Sequence, residues 1–236
     1  MLPGLPIYAH ITFAIGLLLT LYFLGLTVKK SDEIAHQRWF YRVFGCIAIW
    51  IIVQFYLGWS GFYRHYNEIP PRFLLAVVPP LLLIVGILFY QPALRYAKNM
   101  PLHLLTWLHI VRIPVELVLY WCFLQGAIPE IMTFGGRNFD ILAGLTAPLV
   151  AYYGAQRGIL QKRHLLLWNF ICLGLLLNIV LTAVLSAPFP FQQFGFEQPN
   201  IAVFYAPIIL LPAFIVPVVL FSHLVALVKL WGTPHQ

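Results

Sequence analysis

Charged residues are scarce in this chain of 236 residues. Only 9% are Asp, Glu, Lys or Arg, whereas soluble domains carry about 25%. Together with a hydrophobic fraction of 61%, this scarcity excludes a soluble domain of any size. The three cysteines lie in apolar runs and suggest neither a disulfide framework nor a metal site. The H-E-x-x-H, G-x-S-x-G and P-loop motifs are missing as well, so no catalytic residue is assigned by motif.

Long apolar runs are what the chain has instead. A transmembrane helix needs about 20 mostly apolar residues. Seven stretches qualify, at roughly 7–28, 40–60, 72–91, 103–125, 139–156, 164–186 and 201–230. The sequence therefore predicts an all-α integral membrane protein, with residues 1–236 forming one seven-helix bundle. Because the N-terminal segment lacks a basic region and an A-x-A cleavage site, we expect it to be the first retained span.

The loop charges predict an orientation, because loops on the cytoplasmic side carry an excess of Lys and Arg. One set of loops holds Arg64, Arg72 and Arg137 only. The other set holds ten basic residues: Lys29, Lys30, Arg38, Arg42, Arg95, Lys98, Arg157, Lys162, Arg163 and Lys229. The N-terminus is thus predicted outside and the C-terminus in the cytoplasm, with the protein in the plasma membrane (the inner membrane in a bacterium). The net charge of +7 follows these loops, so membrane lipids and not nucleic acid are the expected partners.

A weak internal repeat runs through the chain. A shift of 128 residues places Gly16 on Gly144 and Pro79 on Pro207. Spans 1–3 would then match spans 5–7 as parallel repeats around span 4, although apolar helices also match one another by chance. This layout is similar to that of SWEET-type sugar transporters and microbial rhodopsins, but layout alone does not imply function. A retinal protein is disfavoured because Lys229, the only lysine of span 7, lies at its cytoplasmic end.

Two charges inside span 4 are the main functional signal. Arg112 and Glu116 lie four residues apart, and a charge near the bilayer centre costs roughly 2.5–3.5 kcal/mol. His109 and Tyr120 share their helix face. We expect this face to point into the bundle, with Arg112 and Glu116 within reach of each other or of a shared water. Arg112 would hold an anionic or polar group, and Glu116 would carry a proton or act as a counter-ion.

The loop that leads into span 5 carries a second polar group. Arg137, Asn138 and Asp140 either cap the following helix or line an outer mouth above Glu116. Asn178 in span 6 is a candidate to face the same interior. We expect an outward cavity with Arg137 and Asp140 at its rim, Tyr120 below the rim and a floor near His109.

Several functions fit this pattern. The leading one is transport or binding of a small polar or anionic molecule or ion at Arg112 and Glu116. A second is a membrane-embedded enzyme for a lipid or isoprenoid, with Glu116, His109 and Asp140 as acid–base groups. A third is a structural subunit in which the ion pair only stabilises packing. As a minor alternative, His109 and His223 lie at matching depths and would ligate a b-type haem; no other cofactor is expected.

Overall fold

The computed structural model describes residues 2–30, 37–66 and 68–232, with only the backbone for residues 37–39. Across these ranges the chain is helical and contains no β-strand. Five helices are long and apolar enough to cross a membrane, or six if one sharply bent pair counts as a span. The chain is therefore a helical membrane protein, as its composition predicts.

The five long helices correspond to predicted spans 1, 2, 4, 6 and 7. They are α1 (Ile7–Lys30), α2 (Gln37–Ser60), α5 (Leu102–Trp107) joined to α6 (Arg112–Leu124) through a 3₁₀ turn (Leu108–Val111), α8 (Lys162–Leu185), and α9 (Val216–Gly232) preceded by a π turn (Leu211–Ile215).

Predicted spans 3 and 5 are shorter than a regular span. The third is α3 (Leu74–Phe89), which has 16 residues and then turns by 91° into α4 (Gln91–Asn99). The fifth is α7 (Ile141–Leu149), which continues as a π-helix of seven residues, Val150–Gln156. Because each is shorter than the about 20 residues of a regular span, the seven-span count stays a prediction.

The segment between α6 and α7, which precedes predicted span 5, is irregular chain that turns back into the bundle. Residues 125–140 form turns and one short 3₁₀ helix, Glu130–Met132. At the end of this segment Asp140 contacts Arg112, which lies at the middle of the 102–124 helix. A Cβ atom at Gly144 would lie only 3.1 Å from the backbone nitrogen of Ile113, so α7 and α6 approach closely. The helix α7 thus begins halfway along its neighbour and not at its end.

The glycines that the weak repeat pairs both pack on α6. A Cβ atom at Gly16 would lie 3.5 Å from the Pro114 ring, and one at Gly144 would lie 2.9 Å from the Ile113 side chain. Both α1 and α7 therefore approach α6 closely at a glycine, and the repeat itself stays a prediction.

The loops gather at two ends of the bundle. At the first, here called the loop-rich end, residues 61–66 and 68–73 pack with 186–207, and the Gln198 side-chain amide donates to the Phe123 and Ile128 carbonyls beside residues 125–138. At the second, the basic end, Lys229 Nζ donates to the Met100 carbonyl at 2.7 Å. The orientation rests partly on the Arg38 side chain and on the C-terminal residues 233–236, which lie outside the described residues.

Candidate functional site

The polar face of span 4 is shaped by Pro114. Proline has no N–H to donate to the carbonyl of Ile110, and its ring collides with that carbonyl in a regular α-helix. The chain tightens there into the 3₁₀ turn Leu108–Val111. Side chains three residues apart eclipse each other in a 3₁₀ turn, so His109 and Arg112 point to the same side. Both are buried, with 1% and 2% of their surface exposed.

Arg112 is held by groups from three other elements. Its Nη1 donates to Oδ1 of Asp140 at 2.5 Å and to the carbonyl of Cys172 at 3.1 Å. Its Nη2 lies 2.7 Å from Nε2 of His223. The charge partner of Arg112 is therefore Asp140, which corrects the predicted pairing with Glu116. The reason is the re-entry of residues 125–140, which brings Asp140 to the guanidinium.

Glu116 has a different partner. Both of its carboxylate oxygens lie 2.7 Å from Nδ2 of Asn138, which also donates to the carbonyl of Met132 at 3.0 Å. The Oδ1 atom of Asn138 accepts from the backbone N–H of Asp140 at 3.1 Å. Asn138 is fully buried and Glu116 is 1% exposed. One amide thus fixes the start of α7 and holds the second carboxylate.

Two histidines from different helices stack beside Arg112. The rings of His109 and His223 lie 3.9 Å apart between centroids, with 21° between their planes. The Nδ1 atom of His223 lies 2.9 Å from Oδ1 of Asn169. Axial haem ligation requires the iron between two imidazoles, each aiming a nitrogen at the metal. In His223 both nitrogens already face Arg112 and Asn169, so this arrangement contradicts the predicted haem site.

Seven buried side chains form one site, called the polar cluster below: His109, Arg112, Glu116, Asn138, Asp140, Asn169 and His223. Two of their polar atoms, Nδ1 of His109 and Nε of Arg112, have no hydrogen-bond partner within the described part of the chain. An unsatisfied buried polar group costs about 1–3 kcal/mol. Among the described residues no group of three His, Cys, Asp or Glu is placed to hold a metal ion.

Three predicted site residues lie outside the polar cluster. Asn178 is on the exposed side of α8, where its Nδ2 donates to the backbone carbonyl of Arg137 at 3.0 Å, so the prediction that it faces the interior is wrong. The Arg137 side chain is exposed. The Tyr120 ring stacks on Phe134 with centroids 4.9 Å apart, and none of its described contacts joins it to the cluster.

A cavity opens at the loop-rich end above Glu116. Its volume is about 400 Å³, and its lining includes Glu130, Gly135 and Arg137. Arg137 lines this cavity, but Asp140, Tyr120 and His109 do not, so it is not the predicted cavity with a floor near His109. Residues 130–138, called the plug loop below, separate the cavity from Glu116. One side of this loop lines the cavity, and the other holds Glu116 through Asn138.

The plug loop is tightly closed at Gly136. A Cβ atom there would overlap the carbonyl of Glu130, so only glycine fits. The side-chain hydroxyl of Thr133 donates to the same carbonyl at 2.9 Å and also accepts from the N–H of Gly135. The loop is therefore a compact unit held by its own hydrogen bonds.

Sequence reasoning did not assign His223 and Asn169 their positions beside Arg112. The available signal was that each is one of few polar residues in an otherwise apolar span. No curated protein and no solved structure matches the chain. Every residue of the polar cluster falls within residues 69–231, which match a family described as a domain of unknown function (DUF8737). Since this match covers more than half of the 236 residues, the chain belongs to that family.

Proposed function

We propose that this protein is a transporter of a small polar molecule or ion, in which Glu116 binds and releases a proton. The observation that carries the proposal is the charge balance of the polar cluster. Arg112 forms its ion pair with Asp140, whereas within the described residues Glu116 has no ion-pair partner and accepts its hydrogen bonds from the neutral amide of Asn138. A buried carboxylate without a cation is costly in a membrane interior. In the closed arrangement Glu116 therefore holds a proton, and it loses the proton when the site opens.

The backbone around the site supports a transport role. Irregular chain at membrane depth is tolerated only where protein buries it or where it borders a cavity. Broken helices that begin near the middle of the bundle are a recurring feature of transporter binding sites. The helix α7 begins in this way beside Arg112, and residues 125–140 supply the irregular chain.

The proposed role of Arg112 is to hold the closed site together. An anionic solute would need its guanidinium, but Nη1 already contacts Asp140 and Cys172, and Nη2 faces His223. A solute would have to displace Asp140 first. We therefore assign the solute to the space opened by movement of the plug loop, between the 400 Å³ cavity and Glu116.

The direction of access follows from the loop charges. The plug loop lies at the end that carries few basic residues, which the positive-inside rule assigns to the outer side. In the proposed cycle, a solute enters the cavity from outside, the plug loop moves, and Glu116 exchanges its proton with the opened path. The plasma membrane with the N-terminus outside is the location that fits this cycle.

The test is a measurement of proton binding together with proton flux. Infrared difference spectra of the purified protein between low and high pH should contain the band of one buried protonated carboxyl group. Glu116→Gln should remove that band, and the control Glu197→Gln, at an exposed position outside the cavity lining and the plug loop, should retain it. In liposomes loaded with a pH-sensitive dye, a mixture of small polar solutes should drive proton flux for the parent and for Glu197→Gln but not for Glu116→Gln. Retention of both band and flux by Glu116→Gln would refute the proposal.

A structural role is the second candidate, and the closure of the site favours it. All seven members of the polar cluster are at most 4% exposed. If the cluster only stabilises packing, replacing Arg112 and Asp140 together by leucine leaves every flux measurement unchanged. Loss of flux with retained folding favours transport.

A further inference from the structure

A second cavity lies on the membrane-facing side of the bundle, between α1 and α2. Its volume is about 580 Å³, and Pro207 and Leu210 form its base. Apart from His10, Tyr56 and Trp59, the lining side chains carry no polar atom. The helix α2 stands away from the bundle, since only 11% of its span is buried, against 61% for the last span. This groove is called the α1–α2 groove below.

The depth of the α1–α2 groove matches one leaflet of a bilayer. On α1 it extends from Ile7 to Leu17, which at 1.5 Å per residue is about 15 Å. Half of the hydrocarbon core of a bilayer is also about 15 Å. A partner helix crossing the membrane would need contacts over both leaflets. The groove therefore suits the chain of a lipid from the leaflet at the loop-rich end.

A cation lies at the mouth of the groove. Nη2 of Arg64 donates to the carbonyl of Trp59 at 3.4 Å, and its guanidinium carbon lies 4.7 Å from the centre of the Tyr205 ring. Trp59 lines the groove, and Tyr205 precedes the lining residue Pro207 by two positions. Within the described ranges Arg64 forms no salt bridge with a carboxylate. Its charge is thus available to an anionic group, and arginine binds phosphate oxygens well.

His10 supplies a polar contact deeper in the groove. It lies about one turn inside the start of α1, and its buried Nδ1 atom has no hydrogen-bond partner among the described residues. In a glycerophospholipid the ester carbonyls lie just below the phosphate, at the border of the hydrocarbon region. Because Nδ1 is enclosed, the His10 ring must turn toward the groove before a carbonyl at that level accepts a hydrogen bond from it.

We propose that the α1–α2 groove binds an anionic glycerophospholipid. One acyl chain occupies the apolar groove, an ester carbonyl accepts a hydrogen bond from His10, and the phosphate contacts Arg64. This proposal is independent of the transport function, because no residue of the polar cluster lines the groove.

The test uses the purified full-length chain and native mass spectrometry, with phosphatidylglycerol and phosphatidylcholine of equal chain length as probes. The parent should retain one lipid and prefer phosphatidylglycerol roughly fivefold, the factor that corresponds to one basic residue at a membrane surface. Ala14→Trp fills the groove and should abolish retention. The control Ala48→Trp, an exposed position on α2 outside the lining, should retain the lipid.

The head-group contact has its own pair of variants, which remains informative if Ala14→Trp fails to fold. Arg64→Gln should still bind lipid but lose the preference for phosphatidylglycerol. Arg72→Gln removes a basic residue that is already paired with Glu68 at the same end, and it should keep the preference. Equal retention by the parent and Ala14→Trp would overturn the proposal. So would equal binding of both lipids by the parent, or a lipid-free dimer that Ala14→Trp disrupts.

Discussion

Two arginine–carboxylate pairs in this protein have similar distances and very different surroundings. Arg72 contacts Glu68 through two hydrogen bonds of 2.6 Å, with the side chains 33% and 44% exposed. Arg112 contacts Asp140 through one of 2.5 Å, with the side chains 3% and 6% exposed. The exposed pair has the better bidentate geometry, yet exposed pairs contribute little. Removing one member of a buried pair is costly, since the other charge is left alone. Burial, and not the distance between the charged atoms, therefore decides how strongly each pair affects the stability of the protein.

The largest expected effect comes from breaking the buried pair on one side. Arg112→Met leaves Asp140 buried without a cation, and it also removes the donor to the Cys172 carbonyl. We expect a loss of about 3–5 kcal/mol in the free energy of unfolding. Denaturant unfolding in detergent measures it. If Arg112→Met lowers the free energy of unfolding no more than variants at exposed positions do, the assignment of a buried ion pair is wrong.

The matched control replaces both charges. Arg112→Leu with Asp140→Leu removes the isolated charge, and exchanging buried pairs for apolar residues is often neutral or stabilising. We expect the double variant to regain most of the stability lost in Arg112→Met. A double variant as unstable as the single one would show that the hydrogen bonds to His223 and Cys172, and not the charges, dominate.

A smaller effect should follow from separating α7 from α6 without changing any charge. At Gly144 an added methyl group would lie 2.9 Å from the Ile113 side chain and 3.3 Å from Cβ of Arg112. Gly144→Ala should cost about 1–3 kcal/mol by overpacking. Gly174→Ala is the control, since nothing lies within 4 Å of its added methyl group. Its unfolding free energy should be equal to or higher than that of the parent. Equal free energies of unfolding for Gly144→Ala and Gly174→Ala would mean that the close contact between α7 and α6 does not position Asp140.

The smallest effect should come from the exposed pair. Arg72 lowers the pKa of Glu68 below its ordinary value by hydrogen bonding. The contribution of the pair is therefore present above the ordinary pKa of glutamate and is lost as the pH falls through the lowered pKa. Glu68→Gln should leave the unfolding temperature at neutral pH within error of the parent. A drop as large as that of Gly144→Ala would refute the contrast between the two pairs.

The sequence was sufficient for features that depend on local chain geometry. Apolar length predicted the long helices, and helix periodicity placed His109, Arg112 and Glu116 on one buried face. Counting depth along two helices brought His109 and His223 to the same level, where their rings stack.

Long-range partners were less predictable. The contact of Arg112 with Asp140 depends on irregular chain at 125–140, which has no periodic signature. The short, Gly- and Ala-rich fifth span was the only sign of it. Asn178 was misplaced for another reason: α8 is apolar on all sides, so its sequence does not distinguish an interior face from an exposed one.

The bend between α3 and α4 has a mechanical consequence. Arg95 and Lys98 on α4 are exposed, whereas Ala97 is buried against the bundle. If α3 crosses the membrane, a helix that leaves it at 91° lies along the bilayer surface, with its charged side in the head-group region. Sliding the molecule inward by one helical turn, about 5.4 Å, would drag these two charges into hydrocarbon. In this position α4 fixes the depth of the bundle in the bilayer. Shape changes must then proceed by tilting or local rearrangement and not by movement along the membrane normal.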